Sequence, residues 1–245
     1  MSRRGRLVVF LVGAAGFALL YLAAVRHAPA FGAAVHPMRD AAVRAAVAQA
    51  TANVVSSVNY DQRALDTLGE ETLLLGSVIG AVALLRPSRE EREQVEFQDP
   101  GRVLETVALM GYVMLPVTLI LGADVVLHGQ LTPGGGFQGG VVLGTGIHLV
   151  YLAGRYRALR RVRPLAVFVG GEAVGTAVFA ATGLVGLAGA GFLANVLPTG
   201  RFGATASGGT VPLLNAAVGV EVASGVIVLL AGFLEQFYRA RPASP

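Results

Sequence analysis

His128-Gly129-Gln130-Leu131-Thr132-Pro133-Gly134-Gly135-Gly136-Phe137-Gln138-Gly139-Gly140 separates two long apolar runs, residues 103–127 and 141–153. A chain leaving one membrane helix here must turn and enter the next within this short stretch. Pro133 removes a backbone donor and ends a helix, while Gly134, Gly135, Gly136, Gly139 and Gly140 permit positive φ and close backbone approach. The stretch reads as a tight re-entry turn at a bilayer edge, with His128 and Gln138 as its polar groups. Gly134, Gly136 and Gly139 also spell a formal G-x-G-x-x-G. That fingerprint requires a preceding strand and an acidic residue about 20 positions later. Here a membrane-length run precedes it and the next acidic residue is Glu172, so a dinucleotide loop is not expected.

Outward from the turn, the 245 residues are 54% hydrophobic and only 14% charged, with no Cys and no Trp. A soluble domain carries about a quarter charged residues. The charges here lie between apolar runs that approach or exceed the roughly 20 residues needed to cross a bilayer. The expected class is therefore all-α, a polytopic membrane protein with about six transmembrane helices at 7–25, 68–85, 103–127, 137–153, 165–190 and 211–234. Absence of Cys excludes disulfides and thiolate metal sites. The net charge of +4 is no nucleic-acid face, because every basic residue is Arg and most flank apolar runs.

Arg3, Arg4 and Arg6 precede the first run, which reads as a retained helix or, with Ala28-Pro29-Ala30 as a cleavage site, a signal peptide. Residues 37–60 are too polar to span. Val43, Val47, Ala50, Val54 and Val58 recur at helical spacing, which predicts one external amphipathic helix at the interface or against a partner. Residues 86–93 form a mixed-charge run expected to be a solvated linker.

As a whole, the glycine turn resembles the HG-x-L-x-PGGGFQGG segment of the MnhB/MrpB family, one of the membrane subunits of the Mrp/Mnh-type multisubunit cation/proton antiporters. Leu213-Leu214-Asn215, Gly219 and Glu221-Val222 resemble the last helix of the same family. Upstream, Asn53-Val54-Val55-Ser56 and the stretch from Asp61 to Glu70 resemble a signature of the C-terminal part of the large antiporter subunit. The same signature occurs in a small membrane subunit of energy-converting hydrogenases. Tyr60 stands before Asp61 rather than after it, a departure from that pattern. The resemblance implies a fusion: a segment like the end of the large subunit over 1–90, a charged cytoplasmic linker over 91–102, and an MnhB-like four-helix domain over 103–245.

It further implies a subunit that works only inside a hetero-oligomer exchanging Na⁺ for H⁺, with other antiporter subunits and the lipid bilayer as partners and no cofactor. The alternatives are the equivalent subunit of a hydrogenase or respiratory complex, or a purely structural scaffold.

Six spans with the N-terminus inside place fourteen Arg on the cytoplasmic side. Only Arg26, Arg39, Arg44, Arg63 and Arg201 fall outside. This positive-inside bias predicts cytoplasmic termini with the glycine turn facing out, and the resemblance implies a prokaryotic plasma membrane.

Ionisable groups within spans cost about 2.5–3.5 kcal/mol each near the centre on insertion scales. The candidates for a proton or cation path are Glu221 near mid-depth, Glu172 and His148 in the inner half, and Asp124, His128, Glu70 and Asp66 towards the outer side. Each has a plainer reading. Asp124, Glu70, Glu71 and Glu105 would sit near water, His148 would be a hydrogen-bonded packing residue, and Glu221 would bond a partner helix. The four His lack metal-binding spacing such as H-E-x-x-H, and no G-x-S-x-G elbow occurs, so neither a metal enzyme nor a hydrolase is expected. Membrane-depth charges that need covering partners generate the first prediction. The purified chain alone in liposomes should show no cation-dependent proton flux above protein-free vesicles.

Overall fold

A computed structural model of the chain describes residues 3–28, 32, 35–86, 103–162 and 164–239. The linker expected over 91–102 lies outside these residues. The described residues are all-α, without strands: α1 (Arg3–Arg26), α2 (Pro37–Ala48), α3 (Val54–Ser57), a single π-turn (Val58–Gln62), α4 (Ala64–Leu84), α5 (Glu105–Leu127), α6 (Gly136–Val162), α7 (Leu165–Gly186) and α8 (Val211–Arg239). The chain divides into two compact units, Met1–Asp40 and Ala41–Pro245. In the first, α1 is apolar on all sides and buries no residue. Six helices are long and apolar enough to cross a membrane: α1, α4, α5, the Gly136–Gly154 part of α6, α7, and α8 through Gln236.

The expected amphipathic helix over 37–60 is instead broken. After Ala48 the chain turns through Ala50 at φ 56°. The Thr51 N–H donates to the Ala46 carbonyl at 2.9 Å and the Ala50 N–H to Val47 at 3.0 Å. This paired closure ends a helix by placing one residue in the left-handed region. Asn53 then starts α3, its Oδ1 accepting the N–H groups of Val55 and Ser56, the ordinary work of an N-cap. The buried residue of α2 is Ala46, while Val43 and Val47 remain exposed.

Residues 155–162 lie between the expected spans at 137–153 and 165–190 and are helical. Helix α6 runs through them to Val162, and Pro164 caps the start of α7. Arg, Ala and Leu are strong helix formers, so the helix continues past the apolar span.

In the second unit α8 is the axis. Over its most apolar 18 residues 61% are buried, against 39% or less for the same length of every other span. It packs most extensively on α6 and α7, and also on α4. Near its start, Tyr60, Ala64, Phe179, Leu193, Val211, Leu214, Val218 and Val222 form the main apolar core.

The turn delivers α6 against two neighbours at once. Gly134 and Gly135 hold φ of 136° and 152°, values that L side chains rarely adopt. A Cβ at Gly136 would stand 2.5 Å from the Asn215 carbonyl oxygen and 2.6 Å from Val218 Cβ. One at Gly140 would stand 2.8 Å from Val222 Cβ, and one at Gly139 would stand 2.8 Å from the Gly122 carbonyl oxygen of α5. Small residues here let backbones approach closely, the usual device where helices associate in lipid.

Asn215 on α8 fixes this entry. Its Oδ1 accepts the Gly136 N–H at 2.9 Å, and its Nδ2 donates to Ser56 Oγ at 2.9 Å and to the Val211 carbonyl at 3.2 Å. From the other side, Asn53 Nδ2 donates to the carbonyls of Gly129 (2.7 Å) and Thr132 (2.8 Å). Buried Gln130 donates to the Thr205 carbonyl at 2.5 Å. Residues 53–56 are thus a strap across the glycine turn and the start of α8. Overpacking such a contact costs about 1–3 kcal/mol or more. Gly136→Val and Gly140→Val should therefore each lower the thermal midpoint of the purified chain and its yield in any complex, whereas Gly76→Val, in open space on α4, should leave both near wild type.

Candidate functional site

Three carboxyl side chains are buried together where α4, α7 and α8 meet: Glu71 and Glu221, both 0% exposed, and Glu172, 3% exposed. The faces of the helices put them there. On α4 the buried residues are Ala64, Thr67, Glu71 and Val78, a stripe at helical spacing that carries Glu71 inward. Glu70, a step of about 100° away, is exposed. On α7 Glu172 shares the inward face with Gly175, Phe179 and Gly183.

Glycines allow the close approach of α7 and α8. A Cβ at Gly175 would lie 2.7 Å from Glu221 Cβ and 3.0 Å from its nitrogen. A Cβ at Gly225 would lie 3.2 Å from Glu172 Oε1. Each buried carboxylate residue of this helix pair therefore stands against a glycine of the facing helix.

Depth follows from a rise of about 1.5 Å per residue. Glu71 lies about 10 Å below Ala64, Glu221 about 15 Å below Val211, and Glu172 about 21 Å below Gly186 at that same rise. These three helix ends share the glycine-turn side of the unit. The neighbours interact in the same order: Glu70 with Glu71, Glu71 with Glu221, and Glu221 with Glu172. The result is a stepwise ladder from an exposed carboxyl into the interior.

The ladder is unsatisfied. Both oxygens of Glu71, both of Glu221 and Oε1 of Glu172 are buried without a hydrogen-bond partner. The Thr176 hydroxyl, which donates to the Glu172 carbonyl at 3.1 Å, also lies beside the Glu221 carboxyl. Among the described residues no salt bridge reaches the three; the ion pairs are Arg39–Asp40, Arg63–Asp66 and His128–Asp124. An unsatisfied buried polar group costs about 1–3 kcal/mol, more when charged. Like charges this close repel strongly at low dielectric. What such a group of carboxyls can hold is a mobile positive charge, a proton or a cation.

Tyr60 bounds the ladder on the glycine-turn side. It is 2% exposed and tilts against Phe179 at 6.3 Å between ring centroids. Burial, and then the charge of Glu71, pushes its phenol well above the ordinary range, so it stays protonated. Next to it, burial raises the half-buried Asp61 carboxyl, an effect opposed by the Asn195 side chain.

The remaining sequence candidates lie elsewhere. Asp66 is exposed and paired with Arg63 at 2.5 Å. Asp124 and His128 pair at 2.9 Å at the end of α5, and His128 Nδ1 also contacts the Asp124 carbonyl oxygen at 3.1 Å. His148 is half-buried on α6, one turn beyond Gly144, which packs against Ala223 and Val226 of α8. The structure thus groups Glu172 and Glu221, and adds Glu71 and Tyr60, which are not among the path candidates that the sequence singles out. The signal for Glu71 is its register with Ala64, Thr67 and Val78.

A family model described as a domain related to the MnhB subunit of Na⁺/H⁺ antiporter matches residues 103–228. The chain belongs to this MnhB-related family. It is 28% identical over 204 residues to an uncharacterized protein of Methanocaldococcus jannaschii, covering 71% of this chain and 74% of that one. It is 34% identical over 136 residues to a probable K⁺/H⁺ antiporter A/B chain of Rhizobium meliloti, covering 46% of this chain but 14% of the relative. Among solved structures it matches a chain of the membrane-bound sulfane sulfur reductase, an archaeal respiratory membrane complex. The TM-score is 0.73 at 25% identity, over 95% of this chain and 99% of that one. A chain of the Mrp complex from Dietzia sp. DQ12-45-1b has the same fold, with a TM-score of 0.68 at 24% identity, over 95% of this chain and 26% of that one. The MnhB-related chain is a multi-pass membrane protein. It spans 14% of the Rhizobium meliloti relative and 26% of the Mrp-complex chain, but nearly the whole of the respiratory-complex chain.

In this MnhB-related chain, direct contact between Glu71 and Glu221 has a thermodynamic signature. Groups in contact couple, whereas distant ones add to within about 0.3–0.5 kcal/mol. A double-mutant cycle of Glu71→Gln and Glu221→Gln, read by unfolding in detergent, should depart from additivity by about 1 kcal/mol. The cycle of Glu70→Gln with Glu221→Gln should be additive.

Proposed function

We propose that this chain is a membrane subunit of a multisubunit cation/proton antiporter of the Mrp type, and that its carboxyl ladder forms part of the ion path. The observation that carries this reading is the ladder itself. Glu70, Glu71, Glu221 and Glu172 step inward from an exposed position, each next to the following one, and both oxygens of Glu71 and Glu221 and Oε1 of Glu172 are buried without a basic or neutral donor of the kind that a purely structural role would supply. Buried polar groups in native proteins are normally satisfied, and ionisable groups at membrane depth are typical of transport paths. The antiporter relatives support exchange of a monovalent cation, Na⁺ or K⁺, for H⁺. The distribution of Arg supports cytoplasmic termini in a prokaryotic plasma membrane, with the glycine turn outside. The strap over residues 53–56 supports an additional role in assembly, in which a segment like the end of the large antiporter subunit is fastened to the MnhB-like domain.

One observation favours a second reading, a membrane subunit of a respiratory complex whose redox chemistry resides in other chains. The match to the sulfane sulfur reductase complex is one chain to one chain, at 95% and 99%. The partners that co-purify from native membranes distinguish the two.

The path is tested in the assembled, reconstituted complex. Glu221→Gln keeps the shape of the side chain and removes its exchangeable acid proton. At equal complex yield it should reduce cation-dependent proton flux by more than about tenfold, comparable to removing a transfer group. Glu221→Asp should retain part of the flux. Wild-type flux in Glu221→Gln across the pH range would take Glu221 out of the path and leave a scaffold.

A further inference from the structure

We propose that the groove between α5 and α6 binds an anionic phospholipid, with one acyl chain along the groove and the phosphate at Arg160.

The groove has a volume of about 290 Å³ and is lined by Thr106, Val107, Met110, Met114, Leu149 and Leu152. Its floor is Gly111, where the two helices touch: a Cβ there would stand 2.7 Å from Ala153 Cβ and 2.9 Å from the Leu149 carbonyl oxygen. The length of the groove limits what it can hold. From Thr106 to Met114 is about 12 Å at the helical rise, close to the roughly 15 Å that one leaflet contributes to a 30 Å hydrocarbon core. The groove begins one residue from the start of α5 at Glu105. It therefore lies in a single leaflet, the one away from the glycine turn. A partner's transmembrane helix would leave a seam down the whole of α5. Past Met114 the lining stops, and Val117, Ile120 and Leu121 stand exposed. Thr106 is the polar lining residue and sits at the interfacial end, while the two flexible methionines suit a chain of irregular shape.

Positive charge meets the same end. Helix α6 continues past its apolar span to Val162. Leu149, Leu152, Tyr156 and Arg160 follow one another at spacings of three, four and four, which is one face of a helix. The close approaches of Gly111 to Ala153 and of Gly146 to Thr118 fix the antiparallel register of α5 and α6. That register brings position 160 level with the start of α5, at the mouth of the groove. Arg155, Arg157 and Arg161 occupy positions about 90° or more around α6 from this face. Glu105 is two positions before Val107 and so about 160° around α5 from it, on the far side from the groove. Arginine binds phosphate oxygens bidentately, and basic residues at a membrane surface attract anionic headgroups. An apolar groove one leaflet long, with an arginine in line with its mouth, matches the two ends of one phospholipid.

The chain contains no Trp, so a single introduced indole reports alone. Val113→Trp stands on the rim of the groove, next to Met114, and Ile79→Trp stands exposed on α4. The full chain is placed in mixed vesicles of phosphatidylglycerol and phosphatidylcholine, with one or the other brominated on its acyl chains. Quenching at 113 should show phosphatidylglycerol favoured about fivefold, the gain from one arginine at a membrane surface. At 79 the two lipids should quench within about twofold of each other, with no such arginine in line. Arg160→Gln should bring position 113 down to that lower level, whereas Arg161→Gln should leave the preference in place. Equal quenching by the two lipids at 113, or equal effects of the two arginine variants, would overturn the proposal. Native mass spectra of the chain without any Trp give a second reading. From equimolar mixed micelles the wild-type chain should retain phosphatidylglycerol over phosphatidylcholine by about the same fivefold, and Arg160→Gln should lose that excess. A wild-type chain with no excess would also overturn it. In the assembled complex, position 113 should still be quenched by brominated phosphatidylglycerol. An indole shielded there from both lipids would assign the groove to a partner's helix and overturn the lipid site.

Discussion

The second unit depends on α6 meeting α5 and α8 at distances that leave no room for a Cβ atom. Gly136 and Gly140 face α8, and Gly139 faces the Gly122 carbonyl of α5. In lipid, helices gain little by hiding apolar surface from one another, so association rests on close packing and on hydrogen bonds between them. Both occur here at one place. The glycines allow the backbones to meet, and Asn215 uses the proximity to accept the Gly136 N–H while it holds Ser56. Without that approach the Asn215 Oδ1 would lose the Gly136 N–H that it accepts.

The same packing makes the interior carboxyls tolerable. Glu71, Glu172 and Glu221 are enclosed by helices rather than by lipid, because Gly175 and Gly225 bring α7 and α8 together over them. Enclosure does not satisfy their oxygens. The fold therefore carries three buried acids with no basic partner among the described residues, and on the proposed function they hold a transient charge. The exposed pairs Arg63–Asp66 and His128–Asp124 have the contrary character, since each is matched locally and worth little in water.

Much of this is legible in the sequence, for identifiable reasons. Length and apolarity locate the spans, and Pro133 with its glycines locates the turn, because both follow from local chemistry. The break after Ala48 is not legible, because an alanine with positive φ leaves no mark in the sequence and Val54 and Val58 continue the apolar spacing. The end of α6 is also not marked by apolarity: the apolar run stops near residue 153, but arginines continue a helix readily and it reaches Val162. Within the site, Glu172 and Glu221 are evident as acids inside apolar runs. The choice between Glu70 and Glu71 is not, because two adjacent acids at a helix entrance differ only in which face turns inward. That face is set by Ala64, Thr67 and Val78, and its partner lies far along the chain on α8.

The hydrogen bond between Ser56 and Asn215 joins residues 159 positions apart. A ribosome makes the strap and α4 long before α8, and the chain enters the bilayer in that order. Until α8 arrives, the strap has no Asn215 to hold, and Glu71 has no Glu221 opposite it. The nascent helices must wait in the membrane with their small-residue faces open, and the most enclosed element is delivered after all of them. Closure of this unit therefore waits for α8, and a chain stalled before it would present to the membrane's quality control the surfaces that the finished fold conceals.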